Sequence, residues 1–233
     1  MKFENTEVWG FEHALRGMRN AMESWSKSDS GICKGGDNGI GCNNCATKEE
    51  CNHPYDKEFK IGKNDMKLAQ TLIRAGAADS KYLRMIHVAV DTDMPRYWWS
   101  EADTYHFNTK NSCSTMHKLL NNDKPIILDM FVICEEDLDW WIYTVDRLES
   151  IRQEYKKAQK EKDSKTTNRL LVRAKRMLPE GFEQMRTLDT NYAELRNMYF
   201  QRRRHRLKEE WVDTFCKWIE SLPYAKELIM YEG

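Results

Sequence analysis

The sequence predicts a protein of the α+β class, with many helices around a small sheet. Its 233 residues are enough to bury a core, and its 40% hydrophobic and 11% aromatic content is high for a disordered chain. Apolar residues recur every three or four positions along most of the chain, which is typical of half-buried helices. Residues 82–90 are instead rich in β-branched and aromatic residues and predict a strand. We therefore expect a single domain over residues 1–233.

The charge balance excludes some classes of partner. Lys and Arg together number 37, as do Asp and Glu, so the net charge gives no reason to expect nucleic-acid or membrane-surface binding. No apolar run approaches the roughly 18 to 20 residues that a membrane span needs. The start, residues 1–5, carries an acid where a signal peptide would carry apolar residues. We expect a soluble, cytoplasmic protein.

The N-terminal third predicts two helices. The first covers about residues 7–25, where apolar positions alternate at spacings of three and four: Val8, Phe11, Leu15, Met18, Met22 and Trp25. The second follows a cap at Asn64 and Asp65 and ends at Gly76, the natural stop for its apolar stripe.

The rest of the chain is predicted to be mostly helical. Pro95 fits the first turn of a helix, and residues 108–114 predict a polar loop that runs into a short helix. After Pro125 the pattern is helical to the end, with helices at about residues 138–151, 168–178, 191–206 and 209–222 and a charged stretch at 156–167. The tryptophans assigned to the core are Trp98, Trp99, Trp140, Trp141 and Trp211.

A cysteine cluster lies in an irregular, glycine-rich insertion at about residues 27–58. Its members are Cys33, Cys42, Cys45 and Cys51, followed by His53. An odd total of seven cysteines without an export signal argues against a disulfide framework. The Cys-x2-Cys pair is a chelating spacing that predicts Zn²⁺, while an iron–sulfur cluster and four reduced thiols in a loop are the alternatives. We expect a metal here to order the insertion without taking part in chemistry.

Two C-terminal segments carry a family resemblance. Residues 174–179 read Ala-Lys-Arg-Met-Leu-Pro, and residues 191–202 read Asn-Tyr-Ala-Glu-Leu-Arg-Asn-Met-Tyr-Phe-Gln-Arg. In sequence and spacing they resemble the Arg-x-x-Leu-Pro turn and the Asn-x-Arg-x-Leu-x-Asn/His-Phe-x-x-x-Arg helix of the flavin-dependent thymidylate synthases. The resemblance covers roughly residues 64–222. It implies the fold of that family, a helix-rich domain around a small, mostly antiparallel sheet.

An upstream segment resembles the family's Arg-His-Arg-x-x-Ser-x-Asn-x-x-Ser-x-Arg signature in part. Asn111 and Ser114 meet its Asn and its second Ser. Other positions differ: Thr104, Tyr105 and His106 replace Arg-His-Arg, Thr109 replaces the first Ser, Met116 replaces the closing Arg, Ala193 replaces the helix Arg, and Lys175 replaces the Arg before Leu-Pro. Lys175 keeps the charge of that arginine but loses its planar fork.

The resemblance implies a role for six residues. It assigns Arg202 to the uracil carbonyl and its developing enolate, Lys175 to the nucleotide, Ser114 to the nucleotide phosphate and the catalytic site, and Asn197, Asn191 and His106 to the flavin. The implied cofactor is FAD, with NADPH and methylenetetrahydrofolate as co-substrates and a pyrimidine nucleotide, dUMP, modified at C5. The implied assembly is a homotetramer.

Each assignment has a structural alternative. Ser114 fits the cap of the following helix, Asn197 fits a helix-surface amide, and residues 202–206 fit a solvated basic run. His106 and His117 fit replacements for the missing cations or structural histidines. At the level of function, the alternatives to the enzyme are a non-catalytic nucleotide-binding protein on the same scaffold and a nucleic-acid module built on the basic run and the cysteines.

Overall fold

The computed structural model is helix-rich with a small antiparallel sheet, as the sequence predicts. The structure describes residues 1–33, 45–46 and 59–233. The helices are α1 (Phe11–Met18), α2 (Lys63–Ala75), α3 (Arg96–Ala102), α4 (Thr115–Lys118), α5 (Leu138–Lys160), α6 (Ser164–Met177), α7 (Tyr192–Arg202) and α8 (Lys217–Glu220). The strands are β1 (Lys2–Trp9), β2 (Gly31–Ile32), β3 (Phe59–Lys60), β4 (His87–Pro95), β5 (Thr109–Ser112) and β6 (Glu183–Asn191). Lys81–Met85 forms a 3₁₀ helix, and Lys208–Cys216 and Ala225–Ile229 are π-helical.

The strands form two sheets. The larger has four strands in the order β1-β4-β6-β5. The smaller is the antiparallel pair β2 and β3, in which Gly31 lies opposite Lys60. This pair closes the base of the cysteine insertion, because β2 precedes the cysteines and β3 follows them.

The chain divides into two compact units. The first contains Met1–Glu4, Asp91–His106 and Lys110–Leu188. Its core lies between α5 and α6, where the side chains of Leu148, Ile151, Leu170 and Ala174 are fully buried. The second unit contains Asn5–Val90, Phe107–Thr109 and Asp189–Gly233. The single domain expected for residues 1–233 stays a prediction.

The second unit has an aromatic core. Tyr192, Trp211 and Phe215 are fully buried there. The Phe11 ring meets the Tyr192 ring edge to face, with 5.6 Å between the ring centroids. Such edge-to-face contacts add stability beyond the buried area, so this core anchors α7, the helix that carries the predicted site residues Asn197 and Arg202 and has Asn191 as its N-cap.

The helix predicted over residues 7–25 is confirmed only for Phe11–Met18, which form α1. Residues 2–9 form β1, and α1 begins only after Gly10, whose φ of 96° lies in the left-handed region. Gly10 also lies so close to Met85 that a Cβ atom would be 2.1 Å from the Met85 carbonyl oxygen. The helical spacing of apolar residues in this segment therefore crosses the junction of β1 and α1, where the backbone conformation and the close approach to Met85 require glycine.

Two other strands were missed. Both β5 and β6 lie where the sequence predicts a loop or helix, and few of their residues are apolar. The strand predicted at 82–90 begins later, at His87, because Lys81–Met85 is a 3₁₀ helix. Pairing within the sheet, which is not a local property, overrides the weak strand propensity of these segments.

The long helices are confirmed. The predicted helices at 138–151 and 168–178 correspond to α5 and α6, and Gly76 ends α2 with a φ of 115°. The predicted cap of α2 is wrong, since Gly62 is the N-cap and Asp65 is buried in the first turn.

The tryptophan assignments are confirmed in four of five cases. Trp98, Trp99, Trp141 and Trp211 are buried, whereas Trp140 is 54% exposed. On α5 the buried face repeats through Trp141, Val145 and Leu148, and the neighbouring position 140 points away from it. Among the described residues, none of the helices combines the length and the hydropathy of a transmembrane span.

Candidate functional site

A cavity of about 250 Å³ lies in the first unit, and Ser114 and Thr115 form part of its wall. We call it the Ser114 pocket. Ser114 is the N-cap of α4, and its hydroxyl oxygen accepts a hydrogen bond from the backbone N–H of His117 at 3.3 Å. The capping interpretation of Ser114 is therefore confirmed. Because the cap uses only the oxygen lone pair, the Ser114 hydroxyl can still donate to a ligand.

Lys175 lies against this turn. Its ammonium group donates a hydrogen bond to Thr115 Oγ1, 60 positions away in the sequence. Burial, and then the positive charge of Arg96, lower the pKa of Lys175. The structure thus brings together two predicted substrate residues, Ser114 and Lys175, at the N-terminal turn of α4.

The charges around Lys175 favour an anion. Arg96 donates to the Leu178 carbonyl at 3.2 Å and pairs with Glu180 at 3.0 Å. Within the part of the chain that the structure describes, no carboxylate pairs with Lys175. Arg96 is thus paired with a carboxylate whereas Lys175 is not, and a phosphate would supply the negative charge that Lys175 lacks.

Asp93, on β4, lines the same pocket. Burial, and then the negative charge of Glu183, raise the pKa of Asp93. Its Oδ1 is buried and has no hydrogen-bond partner among residues 1–33, 45–46 and 59–233. The fold therefore keeps a carboxyl group there at a cost in stability.

Asp93→Asn is expected to raise the free energy of unfolding by about 1 kcal/mol at neutral pH, because it removes a desolvated charge that lacks a hydrogen bond. The folded-state pKa of Asp93 lies above its ordinary value of 3.8, so the wild-type protein gains stability from this group as the pH falls through the raised pKa. The advantage of the variant should therefore shrink toward about pH 4.

Urea unfolding of both proteins across the acid range measures this difference. Asp129→Asn, which changes an exposed carboxylate on the same pocket, is the matched control and should have little effect. A gain from Asp93→Asn that increases in acid would contradict the argument.

A second cavity, of about 520 Å³, lies in the second unit and is lined by Asn191, Ala193 and Asn197. We call it the Asn197 pocket. Asn191 is the N-cap of α7: its Oδ1 accepts from the backbone N–H of Glu194 at 3.1 Å, and its Nδ2 donates to the Phe107 carbonyl at 3.5 Å. The predicted flavin residues Asn191 and Asn197 thus share one cavity.

The Asn197 amide has a donor to spare. Its Oδ1 accepts a hydrogen bond from Gln201 Nε2 at 2.7 Å, which leaves the two N–H groups of Nδ2 for a ligand. By contrast, Asn191 already uses both ends of its amide to hold α7 and the Phe107 backbone. Asn197 is therefore the better ligand contact of the two.

Arg202 lines neither pocket. It lies at the end of α7, with its guanidinium carbon 4.3 Å from the centroid of the Trp211 ring and its Nη1 2.9 Å from Nε2 of His205. The basic run is therefore not a uniformly solvated face, since Arg202 stacks on a buried tryptophan. Its predicted contact with substrate stays a prediction.

The altered signature has no cation at either pocket. His106 is exposed, and Met116, at the position of the closing Arg, is 49% exposed. His106 lines neither cavity. Its predicted role in flavin binding stays a prediction.

Two of the four predicted metal ligands lie among the residues that the structure describes. Cys33 and Cys45 are buried, and Cys45 pairs with Gly62 in an isolated bridge. Cys42 and Cys51 lie outside the described residues. Within the described ranges, no group of three His, Cys, Asp or Glu side chains has the arrangement of a metal site. The metal stays a prediction that depends on the other two cysteines.

Comparison with known proteins shows which solved structures share this fold. No protein-family model matches the sequence, and neither does any curated protein. Solved structures do: flavin dependent thymidylate synthase ThyX from Helicobacter pylori complexed with FAD and dUMP is similar at a TM-score of 0.66 and 15% identity, over 98% of this chain and 97% of that one. A second structure of Helicobacter pylori ThyX with FAD and dUMP gives the same values. The chain has the ThyX fold.

The residues of the Asn197 pocket fit an FAD molecule. FAD presents a flat ring system, hydroxyl groups and a diphosphate. The pocket offers the Asn197 amide, the Glu194 carboxylate, the Arg84 guanidinium and the Phe107 ring, which is 61% exposed. It thus holds a hydrogen-bond donor, a hydrogen-bond acceptor, a cation and a stacking surface.

Three of these residues were missed from the sequence. Arg84 was assigned to a strand, Glu194 lay inside the resembling helix without a role, and Phe107 lay beside the altered signature. The one available signal was Arg84, a charged residue inside the apolar segment 82–90. Nothing in the sequence indicates that these positions, up to about a hundred residues apart, share a cavity.

Proposed function

We propose that this chain binds FAD and a pyrimidine deoxynucleotide, dUMP, and methylates or otherwise modifies the pyrimidine at C5 with methylenetetrahydrofolate and NADPH as co-substrates. The observation that carries the proposal is the meeting of Lys175 with the Ser114–Thr115 turn across 60 positions of sequence. The resemblance assigns both Lys175 and Ser114 to the nucleotide. The ThyX structures of the same fold are complexes with FAD and dUMP, which supports the choice of ligands.

The chain's own residues would bind and orient the reactants. FAD, when bound, supplies the hydride chemistry of the reaction. Lys175 would pair with the nucleotide phosphate, with donated hydrogen bonds from the hydroxyl groups of Ser114 and Thr115. The added anion would raise the pKa of Lys175, because an opposite charge favours the ammonium form.

The remaining roles concern the two ring systems. Asn197 would donate from Nδ2 to the flavin ring. Arg202 would hold the uracil carbonyl and stabilise the negative charge that develops when the pyrimidine C6 accepts hydride. In this scheme no side chain attacks the pyrimidine, so the protein contributes binding, orientation and electrostatics.

The test is an absorption spectrum of the freshly purified protein, followed by titration with FAD and by turnover of dUMP with methylenetetrahydrofolate and NADPH. A flavin spectrum, or saturable uptake of added FAD, together with a C5-modified nucleotide product is the expected result. A protein that binds neither flavin nor any pyrimidine nucleotide would refute the proposal.

A non-catalytic nucleotide-binding protein is the second candidate function. The changes in the family signature favour this candidate, because they remove cations at Thr104, Tyr105, His106 and Met116. Lys175 and Ser114 could contact an anion without those cations. A colourless protein that takes up no FAD but binds dUMP would support this candidate over the enzyme.

We propose a homotetramer in the cytoplasm, and Zn²⁺ or an iron–sulfur cluster on Cys33, Cys42, Cys45 and Cys51. Light scattering on the purified protein measures the oligomer, and metal analysis on the same sample identifies the ion. A metal-free protein with normal FAD uptake would leave the cysteines as reduced thiols.

A further inference from the structure

Arg84 and Phe107 form a cation and ring pair at the Asn197 pocket. Arg84 lies on the 3₁₀ helix Lys81–Met85, and its guanidinium carbon is 5.4 Å from the centroid of the Phe107 ring. Both residues line the pocket, and 61% of Phe107 is exposed. The backbone at Phe107 is fixed, because its carbonyl accepts hydrogen bonds from Thr190 Oγ1 at 3.3 Å and from Asn191 Nδ2 at 3.5 Å.

The Arg84 guanidinium is available to a ligand. It lies over the Phe107 ring, and it makes no hydrogen bond or ion pair with the described part of the chain. Arg196, the other arginine of the pocket, is half-buried and already committed: its Nη1 donates to the Ile229 carbonyl at 2.6 Å, and its guanidinium lies over the Phe200 ring at 4.7 Å. Of the two arginines, only Arg84 has all its donors free for an anion.

The same pocket also holds a negatively charged side chain, the carboxylate of Glu194. Glu194 is 5% exposed, lines the cavity, and its side chain makes no hydrogen bond or ion pair with the residues that the structure describes. A buried carboxylate without a partner favours a ligand that donates O–H or N–H groups. The pocket therefore suits a ligand that carries both donor groups and an anionic group.

We propose that Arg84 binds the diphosphate of FAD, that Phe107 stacks on one of its rings, and that Glu194 accepts hydrogen bonds from its ribityl hydroxyl groups. This inference rests on the proposed function. Arg84 thereby replaces the arginine that the family helix carries at position 193, where this chain has the small Ala193 on the pocket wall. The guanidinium forks onto phosphate oxygens while its face stays on Phe107.

The experiment compares two flavins by equilibrium fluorescence titration. FAD carries the diphosphate, whereas riboflavin has the same ring and ribityl chain without phosphate. Arg84→Ala is expected to weaken FAD binding by on the order of tenfold, the loss of one charge-assisted contact, and to leave riboflavin binding within about twofold. Glu194→Gln is expected to weaken both flavins equally, because both carry the ribityl hydroxyl groups.

Lys81→Ala is the matched control. Lys81 is an exposed cation on the same 3₁₀ helix that does not line the pocket, so its removal should leave both affinities unchanged. Arg84→Gln tests the charge alone in a side chain of similar length, and thermal unfolding of each variant verifies the fold. Raising the salt concentration should weaken FAD binding to the wild-type protein more than to Arg84→Gln.

Two results would overturn the inference and leave the proposed function intact. Normal FAD affinity in Arg84→Ala, with the wild-type protein binding FAD, would remove Arg84 from the site and leave the proposed function intact. Equal losses of FAD and riboflavin in a folded Arg84→Ala protein would show that Arg84 does not contact phosphate. A wild-type protein that binds no FAD would overturn the proposed enzyme as well.

Discussion

Asp65→Ala is expected to lower the free energy of unfolding by about 3–5 kcal/mol, the range for breaking a buried ion pair from one side. Asp65 is fully buried, and its Oδ1 accepts a hydrogen bond from Nε of Arg19 at 2.6 Å. Its Oδ2 accepts from the Ser28 hydroxyl at 2.6 Å and from the Ser30 backbone N–H at 3.2 Å. Removing the carboxylate leaves Arg19, itself 4% exposed, as an uncompensated buried charge.

This carboxylate also joins the two ends of the cysteine insertion. Ser28 and Ser30 lie at the start of the insertion, before its first cysteine, whereas Asp65 follows the insertion on the first turn of α2. The Ser30 hydroxyl contacts Asp65 and accepts a hydrogen bond from the Gly62 backbone N–H at 2.9 Å. The loss in Asp65→Ala should therefore extend beyond one ion pair to the closure of the insertion.

Chemical denaturation of the wild type, Asp65→Ala and the pair Arg19→Met with Asp65→Leu measures this effect. The double variant should be more stable than Asp65→Ala, because it removes both charges rather than one. Asp29→Ala is the milder control. It removes a carboxylate that accepts from the backbone N–H of Asn64 at 2.9 Å, a capping contact worth about 1 kcal/mol. A smaller loss of stability in Asp65→Ala than in Asp29→Ala would contradict the stabilising role assigned to the buried Asp65 carboxylate.

The helices of this fold could be predicted from the sequence where an apolar face repeats over several turns. α5 and α6 are long, and their buried faces repeat without interruption, so local periodicity is enough to find them. Asp65 shows the limit of that approach. The sequence predicts a helix cap at Asp65. Its partner Arg19 is 46 residues away, and only folding brings the two charges together.

The strands could not be predicted for a physical reason. β1 is exposed at most of its positions, and β6 is polar along much of its length, so neither carries the apolar alternation of a half-buried strand. Their conformation depends on hydrogen bonds to neighbouring strands that are distant in sequence. Strand propensity is too dependent on such context to reveal them locally.

Some residues of the candidate site could be predicted from the sequence and others could not. The family resemblance predicted Ser114 and Lys175, and it predicted Asn191 and Asn197, which proved to line one cavity. It gave no indication of Arg84, because a cation that replaces a lost arginine need not occupy the same sequence position. Compensation of this kind is visible only when the side chains around Ala193 are known.

Under the proposed function, Arg202→Ala is expected to reduce turnover of the nucleotide by on the order of 10²–10³-fold, as for the loss of one preorganised electrostatic contact to a developing negative charge. The structure adds a second consequence. Arg202 lies over the fully buried Trp211, so the variant should also lose about 1 kcal/mol of stability from this cation–π contact. The fold should persist, because the Trp211 ring itself stays packed against Phe215 at 5.2 Å.

Steady-state kinetics and thermal unfolding of three variants separate the two effects. Arg202→Lys keeps the charge but loses the planar group that stacks on Trp211, so it should recover part of the turnover and little of the stability. Arg204→Ala removes the same charge from an exposed position two residues further on, and it should change neither quantity. If Arg202→Ala lowers the unfolding temperature while kcat and KM stay at wild-type values, then Arg202 serves only to hold Trp211. The negative charge on the pyrimidine would then have to be stabilised by another cation.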